Sequence, residues 1–305
     1  MNIRNNLIRL ISKNERLLIV TKQIRIKFLM YFGKLVSDKA YIKLQYRLRL
    51  GKKLNLANPT LFNEKVQYAK LYYRNPMLKS LVDKYEVRKY VKEKIGEKYL
   101  TKLYGVYDRV DDIVFDKLPE KFVMKLTNGS SYNYICPLKN YDTQTEIEYR
   151  FKKWITVDFY MLGREWAYKD VKNRIICEEL LETSDVNGLN DYKIFCFDGV
   201  PKLIQVDFSR FINHKRNFYT PEWEFIDEEV EYENDSTAKI QKPKNLEEML
   251  KCAHILSEGF PQVRVDFYDV DGRIVFGEMT FYHGAGYLHF KNPKFELEMG
   301  EYWNV

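Results

Sequence analysis

Two carboxylates near the C-terminal end, Asp266 and Glu278, stand where a divalent cation could bind. They belong to residues 263–268 and 274–280, two strand-like runs that an Asp-Gly turn signal within residues 269–272 predicts to be a β-hairpin. We expect a loop with an odd number of residues, which places both carboxylates on one face of the hairpin. A two-residue loop would place them on opposite faces, because a slip of one residue flips every side chain.

Carboxylates that face each other repel unless a cation lies between them. Mg²⁺ suits this role, because it takes one or two carboxylates and completes its shell with water and phosphate oxygens. The hairpin therefore predicts a magnesium site, and the alternative is a pair of solvated carboxylates.

A lysine and a glycine loop form the second feature that could do chemistry. Lys125 lies in an otherwise apolar strand, residues 122–126, which leads directly into Thr-Asn-Gly-Ser-Ser at residues 127–131. A buried lysine is costly without a partner, and the backbone N–H groups of such a loop can approach an anion. Together they predict phosphate binding. The order differs from a Walker A motif because the lysine precedes the glycine, and the alternative is a lysine that reaches solvent beside an ordinary turn.

A second hairpin precedes the first one along the chain. Residues 191–199 form an apolar strand that carries Lys193 and ends in Asp-Gly, and residues 201–207 are its predicted partner. The basic residues that follow it are Arg210, His214, Lys215 and Arg216. They could clamp a phosphate or a substrate carboxylate, since arginine binds such groups with two parallel hydrogen bonds. The alternative is a solvated basic loop.

The remaining elements that must position these groups are mostly helical. Helical patterns are predicted within residues 4–36, 39–58, 61–73, 77–95, 142–160 and 245–257. Further strands are predicted over residues 103–107 and 174–181, and residues 221–245 read as an acidic, irregular surface segment.

Charge is distributed unevenly along the chain. The first 60 residues hold 14 Lys and Arg against two acidic residues, so they carry +12 while the rest carries −5 of the total of +7. The amphipathic basic helices predicted here could dock on an anionic membrane surface, or they could pack on their own domain with a solvated basic face. A nucleic-acid partner is not expected, because aromatic residues are sparse among the basic ones and no RNA- or DNA-binding motif occurs.

Cysteine and histidine usage excludes several classes of protein. The four cysteines are far apart and lie in apolar contexts, which predicts buried free thiols in a reducing compartment. The four histidines lack the spacing of a zinc site. No secretory signal and no transmembrane run is predicted, so we expect a cytoplasmic protein that can also dock on the inner face of the membrane.

The order of these motifs resembles the ATP-grasp superfamily, and within it the TupA-like subgroup, which is named for teichuronopeptide synthesis and occurs among cell-surface polysaccharide genes. The resemblance covers roughly residues 60–290. The matching segments are residues 62–65 (Phe-Asn-Glu-Lys), 82–84 (Val-Asp-Lys), 121–125 with 128–130, 191–197, 216–219, 263–266 and 277–281.

This resemblance implies an α+β fold in which two lobes grip ATP, preceded by a basic helical extension. Lys125 would contact a phosphate, and Glu178 and Glu179 would lie at the hinge that meets adenine and ribose. The loop that would cover the phosphate consists of Asn128, Gly129, Ser130 and Ser131.

The resemblance also implies how the reacting groups are held. Lys193 and either Arg210 or Arg216 would contact the nucleotide and the transferred phosphoryl group. Asp266 and Glu278 would bind Mg²⁺, and Thr280 stands where the superfamily often has asparagine, so the number of metal ions stays open. The candidates for contact with the substrate are Arg264 and His283, for which an ion pair and an ordinary loop histidine are the alternatives.

The function predicted in this way is an ATP-dependent ligase that joins a carboxylate to an amine through an acyl phosphate, in capsule or other surface-glycan assembly. Sugar acids and amino acids are the expected substrates, and the oligomeric state stays open. The expected divisions are residues 1–60, 61–120 and 121–305. One rival is a glycosyltransferase that uses Asp269-Val270-Asp271 as its metal motif, and another is a non-catalytic scaffold bound to a membrane by residues 1–60.

Overall fold

A computed structural model describes residues 15–184, 188–209, 213–238 and 240–305 of the chain. The helices are α1 (Glu15–Lys34), α2 (Asp38–Leu50), α3 (Phe62–Tyr72), α4 (Leu78–Leu81), α5 (Val87–Lys94), α6 (Thr143–Trp154), α7 (Phe159–Gly163), α8 (Leu246–Ser257) and α9 (Pro293–Glu301). The strands are β1 (Leu103–Tyr107), β2 (Phe122–Leu126), β3 (Asn133–Cys136), β4 (Ile175–Glu178), β5 (Asp191–Phe197), β6 (Val200–Phe208), β7 (Lys215–Tyr219), β8 (Phe225–Ile226), β9 (Gln262–Val270) and β10 (Arg273–Thr280).

A four-stranded antiparallel sheet has the order β1-β4-β2-β3. Alternate residues of β2, such as Phe122 and Met124, pack into a core that includes Ile26 of α1 and Phe151 of α6. Because successive side chains of a strand point to opposite faces, Lys125 projects from the other face of this sheet. β1 precedes the boundary expected at residue 121 but pairs with β4, so the sheet extends across that boundary.

A six-stranded antiparallel sheet has the order β10-β9-β5-β6-β7-β8. Its core residues, among them Phe195 and Val265, belong to the largest apolar cluster, which also takes in Met249 of α8. The predicted hairpin over residues 191–207 is confirmed as β5 and β6, and its turn at Asp198-Gly199 has positive φ at both positions. Lys193 of β5 lies directly opposite Asp266 of β9.

The carboxylate hairpin forms as β9 and β10, but the expected odd loop is wrong. Arg273 pairs with Val270, so the loop is the two-residue turn Asp271-Gly272, whose φ values are +52° and +93°. Such a turn favours Asp-Gly because both residues have positive φ. A β-bulge between Phe276 and Glu278 then shifts the register by one residue. Glu278 therefore lies directly opposite Asp266, on the same face of the sheet.

The single helix predicted over residues 77–95 is wrong, because the chain forms α4 and α5 with a turn between them. The buried carboxylate of Asp83 stabilises this turn by accepting hydrogen bonds from the backbone N–H groups of Tyr85 and Glu86, both at 2.9 Å. A side chain that bonds nearby backbone groups competes with a continuous helix in this way. The helix predicted over residues 142–160 is likewise divided into α6 and α7.

The predicted buried free thiols are confirmed, since all four cysteines are buried and unbridged. No helix within the described ranges is long and apolar enough to cross a membrane.

Candidate active site

On the four-stranded sheet, Lys125 projects from β2 and pairs with Glu178 at the end of β4. The distance from Lys125 Nζ to Glu178 Oε2 is 3.0 Å. Glu178 is buried and also accepts hydrogen bonds from Arg88 and Thr101. Burial favours the neutral carboxyl, but the charge of Lys125 and the Thr101 hydroxyl outweigh it and lower the pKa of Glu178. The partner that the sequence required for Lys125 is thus the carboxylate of Glu178.

Lys84 joins this group from the turn between α4 and α5. Its backbone N–H donates to the carbonyl of Thr127 at 2.8 Å, and its Nζ donates to the carbonyl of Gly129 at 2.7 Å. Both acceptors belong to the loop that follows β2. Burial lowers the pKa of Lys84, while Glu278 on the other sheet acts to raise it. Lys84 therefore binds the glycine loop and lies close enough to Glu278, one of the two predicted metal-binding carboxylates, for Glu278 to affect its pKa.

The glycine loop itself is shaped by tight packing. Gly129 has φ of +76°, and a side chain at this position would collide with the ring of Phe159. Asn128 is buried, and its amide donates to the carbonyl of Lys172 and to the side chain of Asn173. The residues of the loop whose side chains are exposed are Ser130 and Ser131. Asn128 thus anchors the loop, and the two serines are the part that can meet an anion.

The hinge that follows β4 continues from Glu178 to Glu179. The backbone N–H of Glu179 donates to the carbonyl of Lys102, and its carboxylate accepts from Arg273 of β10 at 3.0 Å. A cavity of about 820 Å³ opens beside it, and Glu179, Arg88 and Thr101 are among its lining residues. The contact between Glu179 and Arg273 therefore connects the two sheets beside a cavity.

On the six-stranded sheet, a guanidinium lies between the two predicted metal-binding carboxylates. Arg264 donates to both oxygens of Asp266 at 2.6 Å, to Glu278 at 3.0 Å and to the hydroxyl of Thr280 at 3.1 Å. The cation expected between facing carboxylates is in this structure the neighbouring arginine. The ion-pair alternative for Arg264 is therefore observed, and its contact with a substrate stays a prediction.

The two carboxylates differ in their environments. Burial raises the pKa of Asp266 to about 6, although Arg264 and Lys193 act in the opposite direction. For Glu278, whose side chain is 40% exposed, the effect of desolvation is outweighed by Lys84, Arg264 and Lys193, and the pKa is lowered to about 2. Among the residues that the structure describes, no group of three or more His, Cys, Asp and Glu side chains is arranged to hold a metal ion.

Lys193 is buried in the middle of an acidic group. It contacts the carboxylate of Asp191, and its Nζ lies 3.3 Å from Asp266 and 3.7 Å from Asp207. Burial alone would lower the pKa of Lys193, but Asp191 and Asp266 outweigh it and raise the pKa. Lys193 is therefore a protonated cation adjacent to the predicted metal-binding carboxylates.

Arg216 is held by a bidentate ion pair with Asp207. Its Nε and one terminal nitrogen lie 2.6 and 3.2 Å from the two carboxylate oxygens, and a third contact reaches the carbonyl of Val230. This pair is buried, so the basic-loop alternative is wrong for Arg216. Arg210, the other candidate for the phosphoryl group, lies outside the described residues.

His283 is buried next to Arg264, which donates to its Nδ1. Burial and the neighbouring cations hold the pKa of His283 well below its usual value. An acceptor at Nδ1 and a low pKa together describe a neutral imidazole that carries its proton on Nε2. The two predicted substrate residues thus contact each other.

The sequence did not single out Lys84, Asp191 or Asp207 as site residues. Lys84 stands in a charged stretch where any lysine could be a surface residue, although the Val-Asp-Lys segment was part of the resemblance. Asp191 and Asp207 begin and end the hairpin strands, and their pairing across β5 and β6 gives them a common position beside Lys193. The sequence signal that could have identified Asp191 and Asp207 is an aspartate near each end of a largely apolar hairpin.

The glycosyltransferase motif of the rival hypothesis is part of the hairpin turn. Asp269 accepts a hydrogen bond from the backbone N–H of Gly272 at 2.7 Å. Asp271 accepts from the side chains of Thr183 and Ser184. Both carboxylates therefore stabilise the turn and its contact with the hinge.

Comparison with solved structures finds chains of low identity. D-alanine–D-alanine ligase from Helicobacter pylori is 17% identical with a TM-score of 0.39, over 80% of this chain and 69% of that one. The Bacillus anthracis D-alanine–D-alanine ligase complexed with ATP is 16% identical with a TM-score of 0.41, over 67% of this chain and 55% of that one. N5-carboxyaminoimidazole synthetase from Staphylococcus aureus complexed with ADP is 12% identical, TM-score 0.36, over 66% and 44%.

The chain thus spans between 44% and 69% of the lengths of these three proteins. No curated protein matches the sequence.

The comparison with family models is decisive for the fold. The model described as TupA-like ATPgrasp matches residues 64–304, which is most of the chain. The two antiparallel sheets with helices packed on them agree with the expected α+β architecture. The predicted family and fold class are confirmed, and the chain belongs to the TupA-like ATP-grasp family.

Proposed function

We propose that this protein is an ATP-dependent carboxylate–amine ligase that forms an acyl phosphate, which an amine then attacks. The observation that carries the proposal is the convergence of opposite charges from two sheets. Lys84 donates to the carbonyl of Gly129 in the loop after β2 at 2.7 Å. Glu278 belongs to β10, the strand whose Arg273 contacts Glu179 beside the four-stranded sheet at 3.0 Å, and it acts to raise the pKa of Lys84. Phosphoryl transfer is promoted mainly by positioning of the reactants and neutralisation of their charge. Cations and carboxylates from both sheets could do both.

Lys84 and Lys125 are the residues that would contact the phosphates of ATP. Lys125 lies at the face of the four-stranded sheet, 31% exposed, where its partner Glu178 keeps it oriented. Lys84 holds the carbonyl of Gly129, which leaves the backbone N–H groups of Ser130 and Ser131 as anion ligands. Glu178 and Glu179 would meet the ribose and adenine at the hinge.

Asp266 and Glu278, with the hydroxyl of Thr280, are the residues that would hold Mg²⁺. Their donor set fits, because it supplies two facing carboxylates and leaves the remaining ligands to water and phosphate. A bound Mg²⁺ would neutralise charge on the phosphates. Arg264 lies between the same carboxylates, so metal binding requires its guanidinium to release at least one of them. Once released, it is available to a substrate carboxylate.

Lys193 and Arg216 complete the charge around the reacting groups. Lys193 stays protonated, because Asp191 and Asp266 raise its pKa, and it can attract the phosphoryl group. Arg216 is oriented by the two oxygens of Asp207, with Arg210 as the remaining candidate in that segment. His283, neutral and in contact with Arg264, would position this arginine for the substrate.

The substrate class proposed is a sugar acid joined to an amino acid or a similar amine, within capsular or other cell-surface polysaccharide synthesis. One feature supports a carboxylate substrate: the guanidinium of Arg264 already binds the carboxylates of Asp266 and Glu278. We place the reaction in the cytoplasm, at the inner face of the membrane.

Hydroxylamine trapping tests the proposed chemistry. An acyl phosphate reacts with hydroxylamine to give a hydroxamate, so incubation of the enzyme with Mg²⁺-ATP and a panel of uronic acids and amino acids should give hydroxamate and ADP with the true carboxylate. The Lys125→Ala variant should lose this activity, while Lys121→Ala, an exposed lysine on the same segment, should keep it. The proposal is wrong if millimolar Mg²⁺-ATP produces neither a thermal shift nor ADP with any member of the panel.

A further inference from the structure

Helix α1 has apolar side chains on two opposite faces. One face carries Ile19 and Ile26, which are buried, and Ile26 packs against the core of the four-stranded sheet. Gln23 bonds the carbonyl of Lys153, and Lys22 lies over the ring of Tyr132, so the same side of the helix is fixed to the body.

The other face presents a continuous apolar stripe to solvent. The α1 stripe, with members between 38% and 70% exposed, consists of Val20, Ile24, Phe28 and Tyr31 of the helix together with Leu35, the residue that follows it. The spacings of four, four and three residues keep the four helical members on one side of α1, because an α-helix turns about 100° per residue. Contiguous apolar side chains on a surface usually mark an interaction site.

Cations flank the α1 stripe on both sides. At about 100° per residue, Lys27 and Lys34 lie along one edge of the stripe and Arg25 lies along the other, and all three are exposed. The acidic residues between positions 15 and 60 are Glu15 and Asp38, and Asp38 is engaged by Tyr160 and Arg164. The surface therefore combines an apolar centre with an unbalanced positive rim.

We infer that the α1 stripe docks in the plane of an anionic phospholipid surface. An amphipathic helix of this type buries its apolar face at the boundary of headgroups and acyl chains, while its basic residues attract anionic headgroups. A second copy of the chain fits less well, because two such surfaces would bring their positive rims together. A polyanion such as a nucleic acid would use the cations but leave the apolar stripe in water. The inference does not depend on the proposed ligase chemistry.

Co-sedimentation with lipid vesicles tests this docking on the full chain. The protein should bind phosphatidylcholine vesicles that contain phosphatidylglycerol, bind vesicles of phosphatidylcholine alone much more weakly, and lose affinity as salt is raised. The double variant Ile24→Ser with Phe28→Ser should bind at least about tenfold more weakly, because it removes apolar groups from the interface. Leu138→Ser is the matched control, since Leu138 is also exposed (63%) but lies outside α1, and it should bind as the wild type.

A second pair of variants tests the rim. Lys27→Glu with Lys34→Glu should weaken binding by at least about fivefold for each cation removed, whereas Lys294→Glu, an exposed lysine on α9, should not. All four variants should keep the wild-type thermal shift with Mg²⁺-ATP, so loss of lipid binding is separable from loss of the ligase site.

Three outcomes would overturn the inference. The first is a wild-type protein that does not bind phosphatidylglycerol vesicles. The second is an Ile24→Ser, Phe28→Ser variant that binds them as tightly as the wild type. The third is a dimer in sedimentation velocity that dissociates when Ile24 and Phe28 are replaced, without any lipid binding, which would assign the stripe to a second copy.

Discussion

At the scale of single residues, the candidate site is built from ion pairs in which each cation orients a functional carboxylate or is oriented by one. Lys125 pairs with Glu178, and Arg216 pairs with Asp207 through two hydrogen bonds. Buried pairs of this kind add little stability relative to apolar side chains, but removing one partner is strongly destabilising. The proposed function gives these pairs a role beyond the stability that they contribute.

The ion pair of Asp207 with Arg216 predicts a measurable pH dependence of the free energy of unfolding. Burial opposes its ionisation, but Arg216, Lys193 and His214 outweigh burial and lower the pKa of Asp207 from 3.8 to about 2. A lowered folded-state pKa contributes stability that is complete above about pH 4 and disappears as the pH falls towards 2, with a total of about 2 kcal/mol.

The variant Asp207→Asn should therefore lower the free energy of unfolding at pH 7 by at least about 2 kcal/mol, because Arg216 also loses its counter-charge. The difference from the wild type should shrink between pH 4 and pH 2, as measured by urea unfolding. Asp116→Asn, at an exposed position, should cause no loss at either pH. An Asp207→Asn effect that is the same at pH 2 and pH 7 would contradict the assigned pKa.

The structure adds Lys84 to the candidate site, although the sequence did not single it out. Lys84→Ala should weaken Mg²⁺-ATP binding by about tenfold to a hundredfold, because a charged hydrogen bond is worth about 1.5–3 kcal/mol and the carbonyl of Gly129 loses its donor. Isothermal titration with ATP measures this loss. Lys43→Ala, an exposed lysine of α2, should bind ATP like the wild type. Equal affinities for both variants would remove Lys84 from the site.

Individual residues were predictable from the sequence where a charge stood alone among apolar neighbours. Lys125, Lys193, Asp266 and Glu278 each interrupt a strand, and a buried charge needs a partner. Lys84 was not predictable on that ground, because it lies in a charged stretch, directly after Asp83 and two residues before Glu86. The occupation of the carboxylate pair by Arg264 was also not predictable, since it depends on the side-chain conformation.

At the scale of elements, the β9–β10 hairpin shows how two local features combine. The Asp271-Gly272 turn would by itself put Asp266 and Glu278 on opposite faces, and the bulge at Gly277 brings them back to one face. The sequence indicates the turn, because Asp-Gly is a strong signal. It does not indicate the bulge, because a glycine within a strand can equally mark close approach of another backbone.

The α4–α5 turn is the second element that sequence periodicity misjudged, and it sets the position of Lys84. Asp83→Ala should lower the free energy of unfolding by about 1–2 kcal/mol, as for the loss of a helix cap, and should also weaken ATP binding. Asp83→Asn should retain most of the stability, because it keeps the oxygen that accepts from Tyr85 and Glu86. Urea unfolding of the two variants distinguishes a capping role from a purely electrostatic one with Arg174, which would make both variants equally unstable.

At the scale of the whole molecule, the proposed function needs charged groups from both sheets, which the ion pair between Arg273 of β10 and Glu179 connects. The order of motifs along the chain predicted the family and the α+β fold, and the family comparison confirms both. It could not predict which charges of the two sheets act on each other, because residues 84 and 278 are far apart in sequence and come near each other only through tertiary packing. The contact between Arg273 of β10 and Glu179 at 3.0 Å joins the two sheets, and the effect of Glu278 on the pKa of Lys84 agrees with it.

Isothermal titration of Mg²⁺-ATP into the wild type, Lys125→Ala and Asp266→Asn tests the central claim most directly, because the two variants remove one charged group from each sheet. We expect the wild type to bind at millimolar concentration or below, and each variant to lose at least about tenfold in affinity, more than about 1.4 kcal/mol. Undiminished binding by either variant would contradict the account, since the triphosphate would then lie against one sheet only.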